Sequence, residues 1–101
     1  MRKWKYKLFT GKALREAISE DSNEATLEAL RTCYKEIHRV MPDWYDEDDL
    51  ENDCAEIDNQ LDNCKNYADY DMTEDDVQDE INYLLRHFYD FCDCNGIWVG
   101  L

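Results

Sequence analysis

Glycine and proline are scarce in this chain: three Gly and one Pro in 101 residues leave little material for tight turns. That argues against a fold of many hairpins and for a few long helices. Cysteine occurs five times, at positions 33, 54, 64, 92 and 94, an odd number without the spacing of a disulfide framework or of paired zinc ligands. Cys54 and Cys64, on one expected helix, would stand roughly 15 Å apart, beyond disulfide reach. The thiols therefore read as reduced and packed in a core, which points to a cytoplasmic protein. No apolar run follows the basic start MRKWKYKLF, so it reads as neither signal peptide nor membrane span. The sharpest shortage is of positive charge: residues 43–80 hold 17 Asp or Glu against a single Lys, Lys65.

What is present is enough to fold. Hydrophobic residues make up 44% of the chain and aromatics 13%, which separates it from acidic tails too polar to offset chain entropy. The length suits one domain, taken as residues 1–101. Charge is split along it: residues 1–40 carry nine Lys or Arg against six Asp or Glu, and residues 41–101 carry two against nineteen. Such a field repels nucleic acid and anionic membranes from the C-terminal part and attracts basic proteins.

Lys3 to Leu8 alternates charge with apolar bulk, the pattern of a half-buried strand with Trp4, Tyr6 and Leu8 inward. Thr10-Gly11 offers a helix N-cap, and Ala13, Leu14, Ala17 and Ile18 follow at helical spacing over about residues 11–19. A second helix runs from Glu24 to just before Pro42, on the stripe Leu27, Leu30, Tyr34, Ile37 and Met41. Asp46 or a neighbour caps a third helix, whose narrow stripe is Leu50, Cys54, Ile57, Leu61 and Cys64. After a polar link over residues 66–72, Thr73 with Asp76 resembles a capping box for a fourth helix, with Val77, Ile81, Leu84, Leu85, Phe88, Phe91 and Cys92 inward. Asn95-Gly96 stops it, and residues 97–101 read as a short strand that must pair with the first. The predicted fold is mainly α: a small four-helix bundle-like domain of antiparallel neighbours, closed by a two-stranded ribbon of the N- and C-terminal strands.

The candidate site is the acidic surface. On the third helix Asp48, Asp49, Glu56 and Asp62 lie opposite the apolar stripe, with Glu51, Asp53 and Asp58 on its flanks; the fourth adds the outward row Asp75, Asp79, Asn82, Arg86, Asp90 and Asp93. Side chains three and four apart on a helix sit roughly 5–6 Å apart, and a nucleic-acid strand advances about 3.4 Å per phosphate, so two such rows carry charge on the scale of a phosphate backbone. The plainer reading is a soluble acidic face. Against it, like charges at helical spacing destabilise a helix, and Asp is the poorer helix former, yet the stretch uses Asp more than Glu and leaves it almost without Lys. The expected partner-binding residues are Asp48, Asp49, Glu51, Glu56, Asp58, Asp62, Asp75 and Asp79.

Other chemistries fare less well. Asp69, Asp71, Thr73, Asp75 and Glu80 match part of a calcium-loop spacing, but Glu74 stands where the loop turns on Gly, and Thr73 is better used as a cap. His38 and His87 lack a nucleophile in a recognisable turn, and no carboxylate pair is distinguished from the rest. No enzyme activity, metal or cofactor is expected. Lys3, Lys5 and Lys7 with Trp4 and Tyr6 look like a small nucleic-acid platform, but lysines also protect an edge strand, and the acidic bulk would repel that ligand. No direct nucleic-acid binding is expected.

In size, and in the segments DEDDLENDCAEIDNQLDN and TEDDVQDEIN, the chain resembles small acidic inhibitors carried by phages and conjugative elements, of the anti-CRISPR and antirestriction kind. The likeness is compositional and covers about half of the chain. It implies a non-enzymatic inhibitor that mimics nucleic acid and occupies the basic nucleic-acid channel of a host defence protein; the chain itself is expected to be a monomer or small homo-oligomer. The alternative is an accessory interaction module of a mobile element without mimicry; a third class is a divalent-cation binder.

Overall fold

The computed structural model describes residues 4–66, 71 and 73–99. Lys3, the link from 67 to 70, Met72 and the last two residues lie outside them, and with them part of the expected first strand, of the calcium-loop spacing and of the last strand. The elements are β1 (Tyr6–Lys7), α1 (Gly11–Ser19), α2 (Asn23–Val40), α3 (Glu47–Lys65), α4 (Glu74–Cys94) and β2 (Ile97–Trp98). Among the described residues the chain is thus mainly helical, with four helices and a ribbon of its terminal strands, as the apolar spacing predicts.

Each long helix starts where a short polar side chain can satisfy an amide that the helix leaves free. Ser22 accepts from the Ala25 amide at 3.3 Å, and Asp46 accepts from the Asp49 amide at 2.9 Å. At α4 the capping box is complete: Asp76 N–H donates to Thr73 Oγ1 at 3.2 Å, and Thr73 N–H donates to the Asp76 carboxylate at 3.0 Å. Among the described residues three are left-handed, Asp21 (φ 55°) between α1 and α2, Asp71 (φ 51°) before α4 and Gly96 (φ 68°) after it. Asp tolerates that region better than a branched residue does, and Gly tolerates it freely.

α2 is the centre of the domain and packs against each of the other three helices. Leu27, Leu30, Ile37, Ile57, Val77, Ile81 and Phe88 are fully buried around it. Tyr34 of α2 carries the packing outward, edge-on to Phe88 at 5.3 Å and stacked with Tyr45 at 6.0 Å, while Tyr45 meets Phe91 edge-on at 5.6 Å. Burial, then the acceptor Asp53 and its charge, pushes the Tyr45 phenol far above its ordinary range. It stays neutral and donates its proton to the Asp53 carboxylate. Asp53 is therefore a half-buried acceptor inside the fold and not a free flank charge.

The ribbon is parallel, with Tyr6 opposite Ile97 and Lys7 opposite Trp98. Parallel pairing needs a crossover, and here the crossover is all four helices. A strictly alternating up-and-down path would have made the strands antiparallel, so at least one junction does not reverse the chain. Leu8, Ile97 and Val99 are buried and seat the ribbon on the helices. Trp4, expected inward, is 43% exposed because it precedes the paired residues and escapes their alternation. On α1 only Gly11, Leu14 and Ala17 are buried; Ala13 and Ile18, placed in the stripe from their spacing, face solvent because α1 rests mainly on α2. A Cβ at Gly11 would run into the carbonyl oxygen of Val99, so the C-terminal strand passes where only glycine leaves room.

The expected Thr10 cap takes a different form. The Thr10 side chain makes no capping bond within α1. Instead Glu36, on α2 and 4% exposed, accepts from Phe9 N–H (3.1 Å), Thr10 N–H (2.9 Å), the Thr10 hydroxyl (2.6 Å) and the Arg39 guanidinium (3.3 Å). Burial alone would raise its pKa, but the Thr10 and Phe9 hydrogen bonds and the Arg39 charge outweigh it and hold the carboxyl below its ordinary value.

Candidate acidic interaction face

α3 exposes most of its circumference because its only apolar stripe is narrow. Cys54, Ile57 and Cys64 are buried, Leu50 and Leu61 are half-buried, and Gln60 takes a buried position. The rest of the helix is acid or amide, and the first turn, Glu47, Asp48 and Asp49, suits the positive end of the helix dipole. α4 repeats the arrangement with Glu74, Asp75 and Asp76.

All eight residues singled out from the sequence are exposed: Asp48, Asp49, Glu51, Glu56, Asp58 and Asp62 on α3, and Asp75 and Asp79 on α4. They are not equivalent. Asp58 pairs with Arg31 of α2 at 3.5 Å, which turns that flank toward α2, and Asp62 accepts from the Asn66 amide at 3.2 Å. Among the described residues no cation pairs with Asp48, Glu51, Glu56, Asp75 or Asp79. Such carboxylates repel one another and are screened over about 8–10 Å at physiological salt.

Spacing did not reveal two exposed aromatics, of which Tyr83 stands in the outward row of α4 and Trp44 borders a groove with Lys5, Tyr6 and Gly96. Tyr83, on the outward side of α4 between Asp79 and Arg86, is 65% exposed, and Trp44, in the turn before α3, is 66% exposed. Tyr45, its neighbour, is buried instead. In sequence Tyr83 stands four residues after Asp79 and three before Arg86, and that place in the polar row is the one signal that could have marked it as exposed.

His38 and four of the five thiols are held within the fold, while His87 is exposed on α4. His38 holds the turn after α2 through Nδ1 and the Tyr45 carbonyl, 2.9 Å apart. Burial pushes the Cys33 thiol up to about 11 and the Cys92 thiol up to about 12, so neither is a nucleophile at neutral pH. Cys94 is the exposed cysteine. Among the described residues no three His, Cys, Asp or Glu side chains gather as metal ligands, and no helix is long and apolar enough to cross a membrane.

With this geometry in view, the chain was compared with protein families, curated proteins and solved structures. None of them matches it. The arrangement of its own residues is therefore what bears on function.

Proposed function

We propose that this is a non-enzymatic acidic binding protein whose α3 and α4 surface occupies the basic, nucleic-acid-binding surface of a partner protein in the cytoplasm, in the manner of an anti-CRISPR or antirestriction inhibitor. The observation that carries the reading is the set of exposed carboxylates at 48, 51, 56, 75 and 79, which have no cation beside them among the described residues. Folding does not require them, because the apolar positions of α3 and α4 already supply the packing and the first-turn caps are Asp46 and Thr73. Fixed on two helices, they attract a basic surface at long range and set its register at contact.

The test is competition. Bacterial nucleic-acid-binding proteins captured on the immobilised chain at low salt are challenged with DNA or RNA and with rising salt. A mimic is displaced by nucleic acid and loses affinity steeply with salt. The combined variant Asp48→Asn, Asp49→Asn, Asp75→Asn, Asp79→Asn should weaken capture by about tenfold or more, whereas Glu20→Gln with Glu28→Gln, two charges off this face, should not.

Exposed Tyr83 and Trp44 favour a second reading, an interaction module anchored by aromatic side chains without mimicry. In that case Tyr83→Ala abolishes capture, nucleic acid does not compete, and the salt dependence is shallow.

A further inference from the structure

The opposite character gathers at the ribbon. Lys7, Phe9, Lys12, Arg15, Ser19 and Trp98, with one carboxylate, Glu16, border an open groove of about 470 Å³ between the ribbon and α1. That volume falls within the range of small-molecule sites. Lys7 Nζ lies 4.7 Å from the centre of the Trp98 ring and 5.6 Å from that of Phe9, so its ammonium is held between two aromatic rings instead of sweeping through solvent. Phe9 is 74% exposed although it directly follows fully buried Leu8, and its backbone is fixed by the bond from its amide to Glu36. An aromatic ring on a clamped turn, largely exposed and approached by the Lys7 ammonium, is something folding does not need.

We propose that this groove binds a nucleoside phosphate, the planar ring stacking on Phe9 and the phosphate meeting the ammonium groups of Lys7 and Lys12. An ammonium held in place beside a second one suits a phosphate, and an exposed aromatic face suits a base. The same chemistry could come from a free nucleotide or from the terminal nucleotide of a strand, and the chain's net charge of −14 decides between them. A strand carries its further phosphates into the field of the acidic helices, whereas a mononucleotide lies within about one screening length of the groove's own cations. The site is separate from the acidic face and does not depend on how that face is used.

The test titrates the full chain with ATP, AMP, adenosine, inorganic phosphate and a 5′-phosphorylated oligothymidylate, followed by calorimetry and tryptophan fluorescence at low salt without magnesium. ATP or AMP should bind with Kd below about 1 mM, and adenosine and phosphate alone at least about tenfold more weakly. Phe9→Ala and Lys12→Glu, both at exposed positions, should each weaken AMP at least about fivefold with an unchanged melting temperature. The variant neutralised at 48, 49, 75 and 79 should bind AMP as well as or better than the parent. No binding at several millimolar nucleotide, equal affinity in both groove variants, phosphate binding as tightly as AMP, or an oligonucleotide preferred over ATP would each overturn the proposal.

Discussion

In the α1–α2 half, Glu36 is buried and accepts from two backbone amides, one hydroxyl and one guanidinium; in the α3–α4 half, the carboxylates at 48, 51, 56, 75 and 79 stand in solvent with no cation beside them among the described residues. The first is a single charge spent on connectivity, since it ties the β1–α1 turn to α2 across 26 residues of sequence. The second is a set of charges that adds nothing to connectivity and opposes folding by self-repulsion. Both halves contribute to the core, while the carboxylates that the proposed function uses gather on α3 and α4. The difference teaches that the number of partners a carboxylate has, and not its presence, decides what it does.

The core that both halves share should give the largest effect. Phe88 is fully buried at the meeting of α4 with α2, and Phe88→Ala should cost about 3–5 kcal/mol in urea unfolding. A loss below about 1 kcal/mol would mean that α4 does not dock as described.

Glu36 comes next. Glu36→Ala leaves Phe9 N–H, Thr10 N–H and the Thr10 hydroxyl without their acceptor, and should cost about 3 kcal/mol, with Glu36→Gln costing about 1–2 kcal/mol. The pH dependence has a definite sign. The folded-state carboxyl is held below its ordinary value, so its contribution is complete above the unfolded pKa of about 4.3 and is lost as pH falls through the lower folded value. The stability gap between the parent and Glu36→Gln should therefore be full at neutral pH and narrow below about pH 4. A gap that is flat from neutral to strongly acid pH would show that the bonds to Glu36 do not depend on its charge.

A smaller effect sharpens the acidic side of the comparison. Raising sodium chloride from about 50 to 500 mM should raise the melting temperature by a few degrees, because it screens repulsion among the helix carboxylates. Glu51→Gln, Glu56→Gln and Asp79→Asn together should flatten that response. A melting temperature that falls with salt would show instead that these charges are held in favourable pairs.

The smallest effect belongs to the ion pair that joins the halves. Arg31 and Asp58 are 40% and 48% exposed and 3.5 Å apart, and the Arg31 Nε has no hydrogen-bond partner. Arg31→Ala should change stability by under about 1 kcal/mol in the same unfolding assay. A loss above about 2 kcal/mol would make the pair a true bond between the halves.

The local order of the chain followed from its residues alone. Helix limits came from apolar spacing and from the caps at Asp46 and Thr73, because capping and periodicity act within a few residues of sequence. The exposure of the eight acidic residues was legible for the same reason, since a narrow stripe on a helix leaves the rest outside. Only the tertiary structure decided which polar groups meet across long separations: Glu36 with Thr10, Tyr45 with Asp53, and Gly11 against Val99. It also decided that Tyr45 is buried while Trp44 is exposed, and that the ribbon is parallel. These outcomes depend on how α2 is surrounded and on the path of the junctions, and no spacing rule within one segment encodes the position of another.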